Sequence, residues 1–175
     1  MVTYTSKNVE ETHILGKQMA QKCKGGDILI LCGDLGAGKT QFSKGFAQGL
    51  GISDEITSPT FNIMFEYVGS ELALLHFDLY RLESIDALED IDYFGCLESG
   101  AVCLVVWGDK FIDAMPDEYI KLNIHLAENV NISSSETNEE QANDGTDEPV
   151  RCIEIEGFGT RGKELEQDFA ELLLN

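Results

Sequence analysis

The sequence predicts an α/β fold in which a central mixed sheet is flanked by helices and carries an antiparallel hairpin. Three observations predict it. Asp27 to Leu50 reads as a buried strand, a glycine-rich turn and an amphipathic helix in succession. Ala101 to Trp107 (AVCLVVW) is a second short run that is apolar on both faces. Tyr119 to Leu126 and Val150 to Glu156 alternate apolar and polar residues, as half-exposed strands do. With 175 residues the chain has the length of one domain, so 1–175 is read as a single unit.

The elements follow in order. A first helix is expected from Asn8 to Cys23, capped by Ser6 or Asn8. Its Leu15, Met19 and Cys23 share one face at four-residue spacing, and Gly25-Gly26 ends it. Asp27 to Cys32 (DILILC) is the first buried strand. The helix from Lys39 to Leu50 aligns Phe42, Phe46, Ala47 and Leu50 in one apolar stripe. Phe61 to Tyr67 and Leu72 to Phe77, joined through Gly69-Ser70, form the hairpin. Ile85 to Phe94 is a short acidic helical stretch, and a last helix runs from Gly162 to Leu174. Glu128 to Pro149 has seven acidic residues and no Lys or Arg. With so little to bury, 128–149 is expected to be a disordered or loosely held acidic loop within the domain.

Composition excludes several roles. The 32 acidic side chains outnumber the 12 basic ones, for a formal net charge of −20. Such a surface repels phosphodiester backbones and anionic membranes. No apolar run follows a basic start, and no run approaches the length of a bilayer crossing, so a cytoplasmic protein with no membrane role is expected. The five cysteines are odd in number and form no CxxC pair, which points to buried reduced thiols rather than zinc.

Gly33-Asp34-Leu35-Gly36-Ala37-Gly38-Lys39-Thr40 matches GxxxxGK[ST] in full, with a strand before it and a helix after it. Enclosing triphosphate oxygens with backbone N–H groups requires a tight turn free of Cβ atoms at its glycines. The helix beginning at Lys39 then offers free N–H groups and its positive dipole end. Lys39 is expected to reach the β- and γ-phosphates, and the Thr40 hydroxyl to ligate Mg²⁺. The fold expected is therefore P-loop NTPase-like. Such a site also needs a carboxylate at the end of a neighbouring strand. Asp78, closing the run before it, and Asp109, just past Trp107, are the candidates. The Thr57-Ser58-Pro59-Thr60 loop can sense a γ-phosphate through a threonine hydroxyl. Arg81 can pair with a phosphate or with a nearby carboxylate. His76 and His125 are read as structural strand residues, and Trp107 as a packing residue.

No NKxD-like guanine-reading segment is present, which argues against a GTPase. The three arginines, Arg81, Arg151 and Arg161, make no arginine-rich lid of the kind small-molecule kinases use.

GDLGAGKT followed by QFSKGFAQGLGI, then ITSPTFNIMFEY, LLHFDLYRL, DYF and LVVW, resembles the TsaE family in order and spacing. The resemblance runs from about Thr5 to Asp113, and more loosely through the final strands and helix. It implies a P-loop ATPase that binds ATP and Mg²⁺ and works with the TsaD and TsaB proteins in threonylcarbamoyladenosine modification of tRNA. The tRNA is then touched only indirectly, through the complex, and the free chain is expected to be a monomer. By motif, the resemblance assigns Gly33 to Thr40 to the triphosphate and Thr40 to Mg²⁺. Asp78 falls near the metal and the catalytic water, Thr60 is the switch hydroxyl, and Thr12 lies near the adenine edge.

There are two departures from the family pattern. The position before the tryptophan is usually a magnesium-side glutamate, and here it is Val106. Losing one preorganised polar group from a catalytic site typically costs about 2.7–4 kcal/mol. Asp109 and Asp78 are the carboxylates able to serve in its place. The other departure is the long acidic loop. Two readings follow: a working ATPase, or a nucleotide-gated binding module of the same complex that does not hydrolyse.

Overall fold

A computed structural model describes residues 1–57, 62–127 and 148–174. Thr60, and the acidic loop up to residue 147, lie outside the described residues. Seven strands form one sheet in the order β1-β7-β6-β2-β5-β4-β3. In chain order they are β1 (Val2–Ser6), β2 (Ile28–Cys32), β3 (Met64–Val68), β4 (Ala73–Asp78), β5 (Val102–Val106), β6 (Tyr119–Leu126) and β7 (Arg151–Phe158). The four inner strands β6, β2, β5 and β4 pair in parallel, and β3, β7 and β1 add antiparallel pairings at the two edges. This is the mixed sheet with an antiparallel β3–β4 hairpin that the sequence predicts.

Helices cover both faces. The first helix, α1 (Val9–Ala20), is capped by Asn8, whose side chain accepts from the Glu11 N–H at 2.8 Å. The second helix, α2 (Lys39–Gly49), buries Phe42, Phe46 and Ala47 against Leu29, Leu31, Leu74 and Leu104 of the sheet. α1 crosses α2 closely. A Cβ on Gly45 would lie 1.9 Å from the His13 carbonyl oxygen, so only glycine lets the two backbones meet there. The last helix, α5 (Gly159–Leu173), packs Leu165 and Phe169 into the same core.

The opposite face joins Ile28, Ile30, Phe77, Val105 and Tyr93 under two short helices, α3 (Asp86–Asp90) and α4 (Tyr93–Leu97). One helical stretch is expected over Ile85 to Phe94. The chain instead breaks at Asp92, whose left-handed φ of 50° cannot continue a helix. A 3₁₀ helix (Gly108–Ala114) follows β5.

Strand β1 has no counterpart in the sequence reading. It is five residues long, with Val2 and Tyr4 packed on the core, Ser6 buried, and Thr3 and Thr5 facing solvent. Only pairing with β7, 150 residues later in the chain, makes it a strand. Among the described residues no helix is long and apolar enough to cross a membrane. All five cysteines are free, with Cys23, Cys32 and Cys103 buried.

Candidate functional site

Leu31 of β2 pairs with Val106 of β5, which pairs with Asp78 of β4, so three parallel strands end at one level. Crevices at the carboxyl ends of such strands are where α/β sheets bind ligands. Because β7 runs antiparallel to β6, its first residue, Arg151, reaches the same edge opposite Leu126.

The Gly33–Thr40 loop leaves β2 at this edge. Gly33 has φ +121°, and a Cβ there would sit 1.8 Å from the Ile124 carbonyl oxygen of β6. The turn therefore needs glycine for both backbone and space. Gly38 (φ +118°) caps α2, and a Cβ on it would lie 2.9 Å from Arg151 Nε. Arg151 Nε donates to the Ala37 carbonyl at 3.1 Å, and its Nη1 to the Pro149 carbonyl at 2.8 Å. The buried guanidinium thus braces the loop from behind. No side chain caps the α2 N-terminus and no acidic residue lies in its first turn, so the dipole end stays available to an anion.

Lys39 is only 6% exposed. Its ammonium donates to the Gly33 carbonyl at 2.5 Å and the Asp34 carbonyl at 2.7 Å, and lies over the Trp107 ring. Burial lowers its pKa, while the carboxylates of Asp109, Asp78 and Asp34 act to raise it. Trp107 adopts a left-handed φ of 64°, a strained conformation for a bulky residue, and donates its main-chain N–H to the Leu31 carbonyl at 2.9 Å. Its ring also meets Tyr80 at 5.1 Å between centroids.

These groups surround a cavity of about 630 Å³. Among the described residues, Lys39, Arg81 and Arg151 bring three positive charges to its wall, against the single carboxylate of Asp78. Asp78 Oδ1 accepts from the Tyr80 N–H at 3.1 Å, and the Asp78 N–H donates to the Ile63 carbonyl at 2.9 Å. Lys110 Nζ donates to the Tyr80 carbonyl and, at 2.8 Å, to the Leu82 carbonyl, which fixes the segment after Asp78. His76, two residues earlier on the same face of β4, also lines the cavity and is 3% exposed. Burial pushes its pKa down to about 4 against the opposing pull of Asp78, so the ring is neutral. Its Nδ1 is buried without a hydrogen-bond partner among the described residues.

The expected residues are thus only partly gathered. Leu35, Gly36, Gly38, Lys39, Thr40 and Asp78 line the cavity. Gly33, Asp34 and Ala37 shape the loop, offering their carbonyls to Lys39 and Arg151. Thr12 is fully buried, its hydroxyl 2.7 Å from Ser6 Oγ and 3.3 Å from the Asn8 carbonyl, and Val9 lines the cavity at that end. Asp109 sits exposed at the start of the 3₁₀ helix, not among the residues lining the cavity, yet its carboxylate acts on both Lys39 and Cys32. Val106 contributes an apolar surface beside Asp78.

Arg151 was not singled out by its sequence, although a signal was there. It shares the parity of Ile153 and Ile155, the buried face of β7, where an arginine needs a reason. Trp107 and His76 carry no local sign of their place on the cavity, because both read as ordinary strand residues.

A family model described as "Threonylcarbamoyl adenosine biosynthesis protein TsaE" matches residues 6–135. Proteins named "tRNA threonylcarbamoyladenosine biosynthesis protein TsaE" are similar to this chain. The one from Bacillus subtilis is 45% identical over 120 residues, covering 69% of this chain and 75% of the relative. The one from Streptomyces coelicolor is 34% identical over 150 residues, covering 84% and 90%. The crystal structure of Bacillus subtilis YdiB superimposes with a TM-score of 0.68 at 34% identity, covering 97% of this chain and 94% of that one.

Proposed function

The chain belongs to the TsaE family of threonylcarbamoyl adenosine biosynthesis proteins, and from that premise we propose that it is an ATP-binding, magnesium-dependent P-loop ATPase acting with TsaD and TsaB in the threonylcarbamoyladenosine modification of tRNA. The observation that carries the reading is the charge of the cavity. On a chain of net charge −20, the described residues of the wall bring three cations and one carboxylate. That inversion suits a polyanion such as a triphosphate. The volume, about 630 Å³, lies within the range of small-molecule sites.

In this reading the main chain of Gly33 to Gly38 and the α2 N-terminus hold the phosphates, and Lys39 exchanges its carbonyl partners for phosphate oxygens. Thr60 senses the γ-phosphate, and Thr12 packs behind the loop on the adenine side. Magnesium binds oxygen, keeps several waters, and uses one or two carboxylates together with substrate phosphates. The Thr40 hydroxyl and the Asp78 carboxylate fit that demand. Among the described residues no group of three or more His, Cys, Asp or Glu side chains forms a protein-only cage. Once bound, the ion would offset the charge of the β- and γ-phosphate oxygens. Asp109, exposed at the start of the 3₁₀ helix and near enough to act on Lys39, is the other carboxylate candidate. The acidic exterior leaves tRNA contact to the partner proteins.

ATP turnover in the presence of TsaD and TsaB tests the reading. Lys39→Ala should lower it by roughly a hundredfold or more. Equal turnover in the two proteins would remove the claim.

Val106 favours a second reading, a nucleotide-gated module of the same complex that does not hydrolyse. It leaves Asp78 as the single carboxylate on the wall among the described residues. Val106→Glu separates the two: a large gain in hydrolysis at unchanged partner affinity favours the non-hydrolysing module, and no gain favours Asp78 as sufficient.

A further inference from the structure

We propose that His76 is a positioning residue of this site, whose imidazole holds an ordered water in the cavity beside the Asp78 carboxylate. The inference rests on the nucleotide-binding reading and names a residue to which that reading gives no role.

A buried polar nitrogen is almost always hydrogen-bonded, to protein or to ordered water. His76 Nδ1 breaks that rule among the described residues, and it does so on the wall of the cavity. If the histidine were only a filler, an apolar side chain would serve better, because none leaves an unmet hydrogen bond. Two more polar groups line the same cavity. Ser43 Oγ donates to the Lys39 carbonyl at 2.9 Å and so retains its acceptor capacity, and Asp78 is an acceptor by charge. A buried water needs two to four polar partners. Nδ1, Ser43 Oγ and the Asp78 carboxylate can supply them, and Val106, across from Asp78 in register, supplies none. The water fixes the orientation of Asp78, and through it the group that Asp78 serves.

The test uses the full chain with TsaD and TsaB, comparing wild type with His76→Leu and His76→Asn. Asn carries a polar atom at the position of Nδ1, and Leu does not. Three quantities are measured: ATP affinity by calorimetry, ATP turnover, and melting temperature. The expected result for His76→Leu is turnover about ten- to a hundredfold lower at near-wild-type affinity, with a melting temperature unchanged or raised by roughly 2–4 °C. His76→Asn should recover much of the lost turnover. A residue with a merely structural role would not produce that split or that rescue. Wild-type turnover in His76→Leu overturns the inference, as does an Asn variant no better than Leu. If Leu does not fold, Asn decides alone, since near-wild-type turnover supports the inference and a Leu-like loss of turnover in a folded Asn protein defeats it. A wild-type chain that binds no ATP sinks the nucleotide reading itself, whereas binding with an indifferent His76 sinks this inference alone.

Discussion

The ammonium of Lys39 lies 3.8 Å from the centroid of the Trp107 ring. A desolvated cation–π contact of this kind is worth about 2 kcal/mol or more, comparable with a charge-assisted hydrogen bond. Together with the carbonyls of Gly33 and Asp34, the ring fixes the lysine over the cavity floor.

That contact makes Trp107 a reporter. It is the one tryptophan in the sequence, so emission reads a single environment. Titrating ATP should draw Lys39 from the ring toward phosphate and change the fluorescence saturably. The same titration of Lys39→Ala should leave it flat. A saturable change of equal size in both proteins would mean that the ring does not sense the lysine.

Gly33 and Gly36 should respond differently to alanine. At Gly33 the new Cβ meets a main-chain oxygen at 1.8 Å with φ +121°, whereas at Gly36 (φ +81°) nothing lies within 4 Å. Gly33→Ala should lose about 3 kcal/mol or more, and Gly36→Ala roughly 1 kcal/mol. Urea midpoints would show the difference, and equal losses would contradict the geometry.

Asp27 and Arg161 join the start of β2 to α5. The guanidinium pairs both carboxylate oxygens at 2.8 Å, and the Lys24 N–H donates to Asp27 Oδ2 at 2.7 Å. Asp27 is 4% exposed and Arg161 21%. Hydrogen bonding to Asp27 raises the Arg161 pKa well above its ordinary value. Breaking such a pair from one side typically costs about 3–5 kcal/mol. Asp27→Ala should fall in that range on chemical denaturation. Arg161→Lys should lose less, because it keeps the charge and gives up the two-pronged geometry.

Acid should act through His76. Burial pushes its pKa from about 6.5 in the unfolded chain to about 4 in the folded one. Between those values the unfolded state binds more protons, so stability is whole above pH 6.5 and falls as the pH drops toward 4. The loss amounts to something on the order of 3 kcal/mol at the acid end of the window. His76→Leu should flatten this part of the stability–pH curve. An unchanged slope in the variant would assign the acid sensitivity to other groups.

Much of the fold was legible because it is written locally. The alternating runs that became β6 and β7, the apolar stripe of α2 and the Asn8 cap each lie within a few residues of chain, where periodicity and hydrogen-bonding chemistry act directly. β1 escaped because its five residues bury too little to announce a strand without β7. The break at Asp92 escaped because a backbone dihedral leaves no mark on hydrophobic pattern.

The site divides in the same way. The glycine loop, Lys39, Thr40 and Asp78 can be read from spacing, since one turn and one strand end place them. Arg151 reaches the loop from 114 residues beyond Ala37, and only the antiparallel return of β7 brings it there. Asp109 and Asp78 look alike in the sequence, both following an apolar run. Strand register sets Asp78 on the cavity wall, while the turn at Trp107 places Asp109 at the start of the 3₁₀ helix, exposed yet near enough to Lys39 to act on its charge. Side-chain pattern governs what an element is. Which elements meet, and which charges face one another across the cavity, follows from the order of strands in the sheet, and that order depends on contacts too distant in the chain for any local pattern to record.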